Sequence, residues 1–418
     1  MSNPDHYLYI VGRQAKEASK ELGIKSSEEK SQALLKIAES IENFRDFIKT
    51  ENLKDIEAFK SMQIKSHMLD RLILDDMRID AMIKTARNIA LMPDPVGKLI
   101  TSQTLENGLL LNKIRVPLGV IALIFESRPN VCIDAASLCI KSGNALILRG
   151  GKEAENSNKA IIKAINEGLE RASFAPFCVQ QIEAQDRDLV KALAQLDEFI
   201  DLIIPRGGEG LIKTILDVAT VPVIKNYKGI CHLYVDAKAD IKKALSICHN
   251  AKCSRPSVCN ACEKILIHEK IAKEFLPKLY KNFLEAGVEM RGDDASRGIC
   301  PNILVAHEND WETEYLDLIV TIKVISDMDE AILHINNYGS HHSDAIITED
   351  IAAGREFLKR VDSAAVYLNA STRLTDGFVF GLGAEMGIST DKLHARGPMG
   401  LQELCTYKWV GYGSGQVR

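Results

Sequence analysis

Between residues 120 and 369 the chain alternates short apolar runs with longer helix-like stretches, and this alternation restricts its fold more than any other feature. Val120–Phe125 and residues 145–148 are apolar runs bounded by glycine or proline, and the helix-like Val131–Ser142 lies between them. Runs of four to eight apolar residues suit strands buried on both faces. A second helical stretch at 158–172 and strand candidates at 179–182, 202–204, 221–223 and 233–235 continue the series. Strands joined through helices lie parallel, so the pattern predicts a parallel sheet covered by helices on both faces. It restarts after Cys259, with strands at 264–267, 319–324, 344–348 and 365–369 and helices at 271–286, 329–337 and 351–361. A chain of 418 residues exceeds one ordinary core. The restart therefore predicts a second α/β domain, with a boundary near 235 to 240.

Two segments stand outside the alternation. The first ninety residues read as helical: Leu34, Ile37, Ala38, Ile41, Phe44 and Ile48 recur at helical spacing, and Ser26 three residues before Glu29 forms a capping-box signature. Residues 99–119 carry two apolar runs around Asn107-Gly108, the strongest short hairpin signal. A net charge of -5 gives no basic excess for nucleic acid. Apolar runs are interrupted by Arg128, Lys141 or Arg149 before reaching membrane-spanning length, and the start of the chain lacks a charged and apolar leader. Together these features predict a cytoplasmic protein with no membrane partner. Ten cysteines without paired spacing fit a reducing compartment.

One cysteine stands apart. Arg255-Pro256-Ser257-Val258-Cys259-Asn260 reads as a loop that carries Cys259 to the start of a regular element, with Arg255 available to favour a thiolate. The alternative is a buried thiol acting as a small hydrophobe. Cys259 and Cys262 also have C-x-x-C spacing, which fits a redox pair or half of a zinc site. Neither Cys253 nor His341-His342 completes a recognisable zinc arrangement, so no metal is expected and Cys262 reads as packing.

Among the glycine-rich segments, residues 381–387 lack the strand-helix context of a dinucleotide fingerprint. Gly150-Gly151-Lys152-Glu153 lacks the Ser or Thr of a phosphate loop. Residues 204–211 are better placed, because a strand end meets Gly207-Gly208 and a new helix whose free N–H groups suit a phosphate.

Taken in order, several segments resemble the aldehyde dehydrogenase superfamily nearly end to end. They are Val116-Pro117-Leu118-Gly119-Val120, Phe125-Glu126-Ser127-Arg128-Pro129-Asn130, Lys141-Ser142-Gly143-Asn144-Ala145, Leu148-Arg149-Gly150-Gly151, the Cys259 loop, residues 311–317, Asn369-Ala370-Ser371-Thr372-Arg373, residues 383–390, and His394-Ala395-Arg396-Gly397-Pro398. The resemblance implies two doubly wound α/β domains with a β-hairpin oligomerisation arm. Residues 1–98 and 117–235 would form the dinucleotide-binding domain and 236–400 the catalytic domain. The arm would be 99–116 with a C-terminal segment near 401–418, giving a homo-oligomer; the alternative is a hairpin folded on its own domain.

The resemblance also implies roles. Cys259 matches the nucleophile and Asn130 the side-chain donor to the oxyanion, which in a dry site contributes ~3 kcal/mol to the transition state. Glu314 matches the glutamate that holds the nicotinamide ribose, and Gly207 and Gly208 would lie by the pyrophosphate. Arg149 and Lys152 fall where the adenosine ribose is read, and two cations there favour the 2'-phosphate of NADPH; as a bland alternative both are surface charges. Arg255, Arg373, His394, Arg396 and Lys141 are candidates for a leaving phosphate, and Glu385 for a substrate ammonium. Hydrolytic members carry a basic glutamate where this chain has Asn226-Tyr227-Lys228-Gly229-Ile230. Asparagine cannot deprotonate water near neutral pH. The implied reaction is NADPH-dependent reduction of L-glutamyl 5-phosphate, supplied by a glutamate 5-kinase, to L-glutamate 5-semialdehyde in proline biosynthesis. Its rivals are an aldehyde oxidation yielding free acid and a thiol module built on Cys253, Cys259 and Cys262.

Overall fold

The computed structural model describes residues 4–60, 69, 71–183, 187–225 and 228–418. It divides into two compact units, Met1–Lys225 with Gly381–Gly387 and Met399–Arg418, and Asn226–Phe380 with Ile388–Pro398. The division falls at residue 225 rather than near 235, because the strand Cys231–Val235 pairs with strands of the second unit. Residues 381–387, expected with the second unit, return to the first, where the Met386 N–H donates to the Met399 carbonyl at 2.9 Å.

The first unit opens on helices Pro4–Leu22, Ser27–Asn43, Arg45–Lys60 and Asp76–Leu91. The Ser26–Glu29 capping box forms, and Leu34, Ile37, Ala38 and Ile41 are the buried stripe behind it. Phe44 ends that helix, so Ile48 belongs to the next one. The predicted hairpin is β1 (Leu99–Thr104) and β2 (Leu110–Pro117), turned through Gly108 at φ +82°. The C-terminal strand Cys405–Tyr412 runs antiparallel to β2, and Lys113 lies over the Tyr407 ring at 3.5 Å. Behind this arm, β3 (Val120–Phe125), β4 (Ala145–Arg149), β5 (Val179–Gln181) and β6 (Leu202–Arg206) form a parallel sheet in the order β5-β4-β3-β6. All six residues of β3 are buried, as a central parallel strand requires. The strand expected at 221–223 is reduced to one bridge between Val223 and Ile203.

Among the described residues the second unit has one seven-stranded parallel sheet. Its strands are β7 (Cys231–Val235), β8 (Cys262–His268), β9 (Glu289–Gly292), β10 (Leu304–Val305), β11 (Ile319–Ile325), β12 (Ser343–Ile347) and β13 (Ala365–Leu368), in the order β10-β9-β11-β8-β7-β12-β13. Helices Ile241–Cys253 and Glu269–Glu285 pack Cys248, Phe275, Leu279 and Phe283 on the sheet around Ile265 and Ile267. No helix among the described residues is long and apolar enough to cross a membrane.

Candidate active site

In the second unit, the loop from Ser254 to Ala261 connects helix Ile241–Cys253 to β8. The regular element after Cys259 is thus a strand and not a helix, so no helix N-terminus follows the thiol. Cys259 and Cys253 are the half-buried cysteines; the other eight are buried. Burial raises the Cys253 thiol. The loop is tied down around Cys259. Asn260 Nδ2 donates to the Thr375 carbonyl at 2.8 Å, Thr372 Oγ1 donates to the Asn260 carbonyl at 2.8 Å, and Cys231 Sγ donates to the Cys259 carbonyl at 3.3 Å. Cys262, first residue of β8, is fully buried with Sγ donating to the Lys264 carbonyl at 3.2 Å, and burial pushes its thiol up to about 12.

Arg373 is the cation closest to this loop by its bonding. Its Nε donates to Ser254 Oγ at 3.2 Å, its Nη1 to Asn260 Oδ1, and its charge interacts with both Arg255 and Cys259. Burial and the neighbouring Arg255 lower the Arg373 guanidinium. Two like charges held together favour an anion between them. Arg255 itself is exposed. The other phosphate candidates differ: Arg396 donates through Nη1 and Nη2 to Asp362, at 2.8 and 3.0 Å, and His394 is exposed at φ +68°. Glu314 Oε1 accepts the Gly229 N–H at 2.8 Å, and Gly229 in turn lies against the Cys259 backbone, so Glu314 joins the cysteine loop through one residue. Asn226 and Tyr227, which bear on the missing hydrolytic base, lie outside the described residues.

In the first unit, Asn130 caps the helix Val131–Ser142 by position, with its side chain directed elsewhere: Nδ2 donates to Asp134 Oδ2 at 3.0 Å. Burial pushes Asp134 up to about 6, opposed by the Asn130 hydrogen bond and by Arg206, while the Glu385 charge adds to the rise. Asn130, Asp134, Arg206 and Glu385 therefore form one polar group. Lys141 is excluded from phosphate binding, since it is buried with Nζ donating to Ser31 Oγ at 2.6 Å and the Ala90 carbonyl at 2.9 Å.

Arg149 ends β4 and its Nε is buried without a hydrogen-bond partner, with Glu153 and Glu126 as the nearby charges. Lys152 begins a short 3-10 turn and is exposed. Gly207 and Gly208 follow β6, and Gly208 is the N-cap of the helix Glu209–Leu216. Glu126 Oε2 accepts the Gly208 N–H at 3.1 Å, so a carboxylate sits where an anion would bind. Beside Gly208 the space a Cβ would fill is open to 4 Å.

Several of these partners were not singled out from the sequence. Asp134 has the i,i+4 spacing that puts it over Asn130, and Glu263-Lys264 is a charged pair at the head of an apolar run; both signals were available. Gly229 and Cys231 gave none, because their closeness to Cys259 comes from pairing of β7 with β8.

One α/β unit bears a tethered cysteine loop, and the other bears an asparagine-led helix and a glycine turn after β6. The chain belongs to the aldehyde dehydrogenase family, whose description fits residues 10–301. Relatives at about half identity over nearly the whole chain are gamma-glutamyl phosphate reductases. The chain is 52% identical to gamma-glutamyl phosphate reductase of Clostridium beijerinckii over 411 residues, covering 98% of this chain and 99% of the relative. It is 52% identical to that of Aquifex aeolicus, covering 99% and 97%. The crystal structure of gamma-glutamyl phosphate reductase from Thermotoga maritima superposes with a TM-score of 0.96 at 48% identity, covering 98% of this chain and 99% of that one.

Proposed function

We propose that the protein reduces L-glutamyl 5-phosphate to L-glutamate 5-semialdehyde and inorganic phosphate through a thioester on Cys259, a step of proline biosynthesis. The observation that carries this reading is Cys259 itself: a half-buried thiol on a loop pinned by Asn260 and faced by the Arg373 charge, among cysteines that are otherwise buried or raised by burial. A cation beside a thiol favours the thiolate, which is the nucleophilic form. The thiolate attacks the acyl carbon, the electron pair of the C–O bond to phosphorus leaves with inorganic phosphate, and Arg373 and Arg255 offset the charge on the departing group. Asn130 donates a hydrogen bond to the oxyanion. Reduction of the thioester gives a thiohemiacetal, which collapses to aldehyde and regenerates the thiolate. Asn226 in place of a basic glutamate supports retention of the thioester against water.

NADPH, when bound, supplies the hydride. The residues present fit a phosphate-bearing cofactor: Arg149 has a buried Nε awaiting an acceptor, and Gly208 leaves open space at a helix N-terminus. There a pyrophosphate would replace the Glu126 carboxylate. Arg149 and Lys152 are the residues proposed to prefer a 2'-phosphate, Glu314 to hold the nicotinamide ribose, and Glu385 to meet the substrate ammonium. A glutamate 5-kinase is the proposed source of substrate, and the hairpin with strand Cys405–Tyr412 is the proposed contact of a homo-oligomer.

The test runs the reaction backward: glutamate 5-semialdehyde with NADP+, with and without phosphate or arsenate, and beside NAD+. Oxidation should require the oxyanion and prefer NADP+. Equal rates without phosphate or arsenate would point to a free-acid product and end the reductase reading.

A further inference from the structure

β8 begins with a buried row of charge. Glu263 and Lys264 are consecutive and fully buried, in a strand whose seven residues are all buried. Burying charge costs several kcal/mol per ion unless hydrogen bonds and opposite charges compensate. Here the compensation comes from two directions. Lys252, at the end of the preceding helix and also fully buried, donates to Glu263 Oε2 at 3.1 Å. The remaining partners all belong to residues 313–316. Glu263 Oε1 accepts the Leu316 N–H at 3.3 Å, Lys264 Nζ donates to the Thr313 carbonyl at 2.7 Å, and the same ammonium lies 4.5 Å from the centre of the Tyr315 ring.

Consecutive strand residues point to opposite faces. Glu263, however, is the extra residue at an irregularity where Cys231 pairs with Cys262 and His232 with Lys264, so strict alternation does not apply to this pair. The segment is gripped through two consecutive residues of β8, one residue before Glu314 and two after it. Tyr315 is fixed further by its hydroxyl, which donates to Asp310 Oδ1 at 2.8 Å, and Leu316 is held at φ +54°, a conformation a leucine adopts under constraint. Glu314, at the centre, turns Oε1 to the Gly229 N–H.

We propose that Lys264 is a positioning residue for the reaction: its ammonium, together with the Lys252–Glu263 pair, fixes the backbone of residues 313–316 so that Glu314 presents its carboxylate to the ribose of the nicotinamide cofactor. This rests on the reading of Glu314 given above. Burial lowers Lys264 to about 8, opposed chiefly by Glu263, with Lys252 lowering it further and Cys262 and Asp310 raising it; Tyr315 and His334 also face it. The ammonium is complete below that pH and lost above it. The grip on Thr313 then loosens as pH rises from 7 to 9.

The measurement is NADPH affinity by fluorescence titration, with KM and kcat beside it, for the full-length protein and the variants Lys264→Met and Glu314→Gln. Methionine keeps an unbranched side chain, one atom shorter, and removes the charge. Lys264→Met should raise the dissociation constant and KM for NADPH about tenfold, the loss of one charge-assisted hydrogen bond, with kcat within about twofold of wild type. Wild-type affinity should weaken between pH 7 and 9, whereas Lys264→Met, which keeps only the Glu263 carboxyl that burial raises to about 7, should show no such weakening. If Glu314→Gln weakens NADPH binding and Lys264→Met does not, the positioning role is wrong and the Glu314 reading stands. If Glu314→Gln binds NADPH as wild type does, the Glu314 reading falls and the proposal with it. Should Lys264→Met fail to fold, Lys264→Gln takes its place, and an NADPH affinity and KM within about twofold of wild type in that variant overturn the proposal.

Discussion

Gly229 lies against the backbone of Cys259 so closely that a Cβ at residue 229 would come within 2.6 Å of the cysteine Cα and closer still to its carbonyl. The obstruction is backbone, which cannot swing aside as a flexible side chain can. Because the Gly229 N–H also holds Glu314, an added methyl would displace the nucleophile loop, the glutamate, or both. Gly229→Ala should therefore lower kcat by about 100-fold, the usual cost of a displacement near 1 Å at a reacting centre. Steady-state kinetics beside circular dichroism would check this. A folded variant with wild-type kcat would show that the close packing does not set the nucleophile.

Cys259 and Cys262 should separate cleanly on substitution. The Cys262 thiol is buried, donates to a backbone carbonyl and is pushed up to about 12, so it contributes neither thiolate nor contact to chemistry. Cys262→Ala should cost about 1 kcal/mol of stability through the small cavity it leaves and change kcat less than about twofold. Cys259→Ser should lower kcat by about a thousandfold or more, since a serine hydroxyl lacks an adjacent base to activate it. Comparable losses from the two variants would return the C-x-x-C pair to a shared redox role.

What the sequence made legible follows from how local each signal is. Helix Val131–Ser142 and strand Val120–Phe125 form as predicted because periodicity and flanking turn residues specify them within a few positions. β9 and β10 leave no pattern to read, being short and of mixed composition, whereas helix Ile241–Cys253, outside the expected elements, carries a legible apolar repeat at Ile241, Ala244, Leu245 and Cys248. The boundary moved to 225 because membership of Cys231–Val235 in a sheet depends on which distant strands it pairs with. At the site, residue types were readable and their occupations were not. Nothing near Arg396 reveals that Asp362 takes its guanidinium, and nothing near Gly208 reveals Glu126, 82 residues away, at its N–H.

Asp134 gives a prediction with a definite sign. Its carboxyl is pushed up to about 6 mainly by burial, against ~3.9 for an aspartate in an unfolded chain. Below the unfolded value both states carry the proton and the group contributes nothing. Between the two values the unfolded chain has released a proton that the folded one retains, so stability falls as pH rises, and above about 6 the full cost is present. Partial solvent access reduces that cost to ~1–2 kcal/mol. Asp134→Asn abolishes the titration and keeps an Oδ1 that can accept from Asn130 Nδ2, preserving the orientation of the proposed oxyanion donor. The variant should melt at higher temperature than wild type at pH 8, with the advantage shrinking through pH 6 and vanishing near pH 4. Its kcat should stay closer to wild type than that of Asp134→Leu, which has no acceptor. Thermal melts of the two proteins across that range check the sign: an advantage that grows toward acid pH, or one independent of pH, would mean that burial does not raise the Asp134 carboxyl.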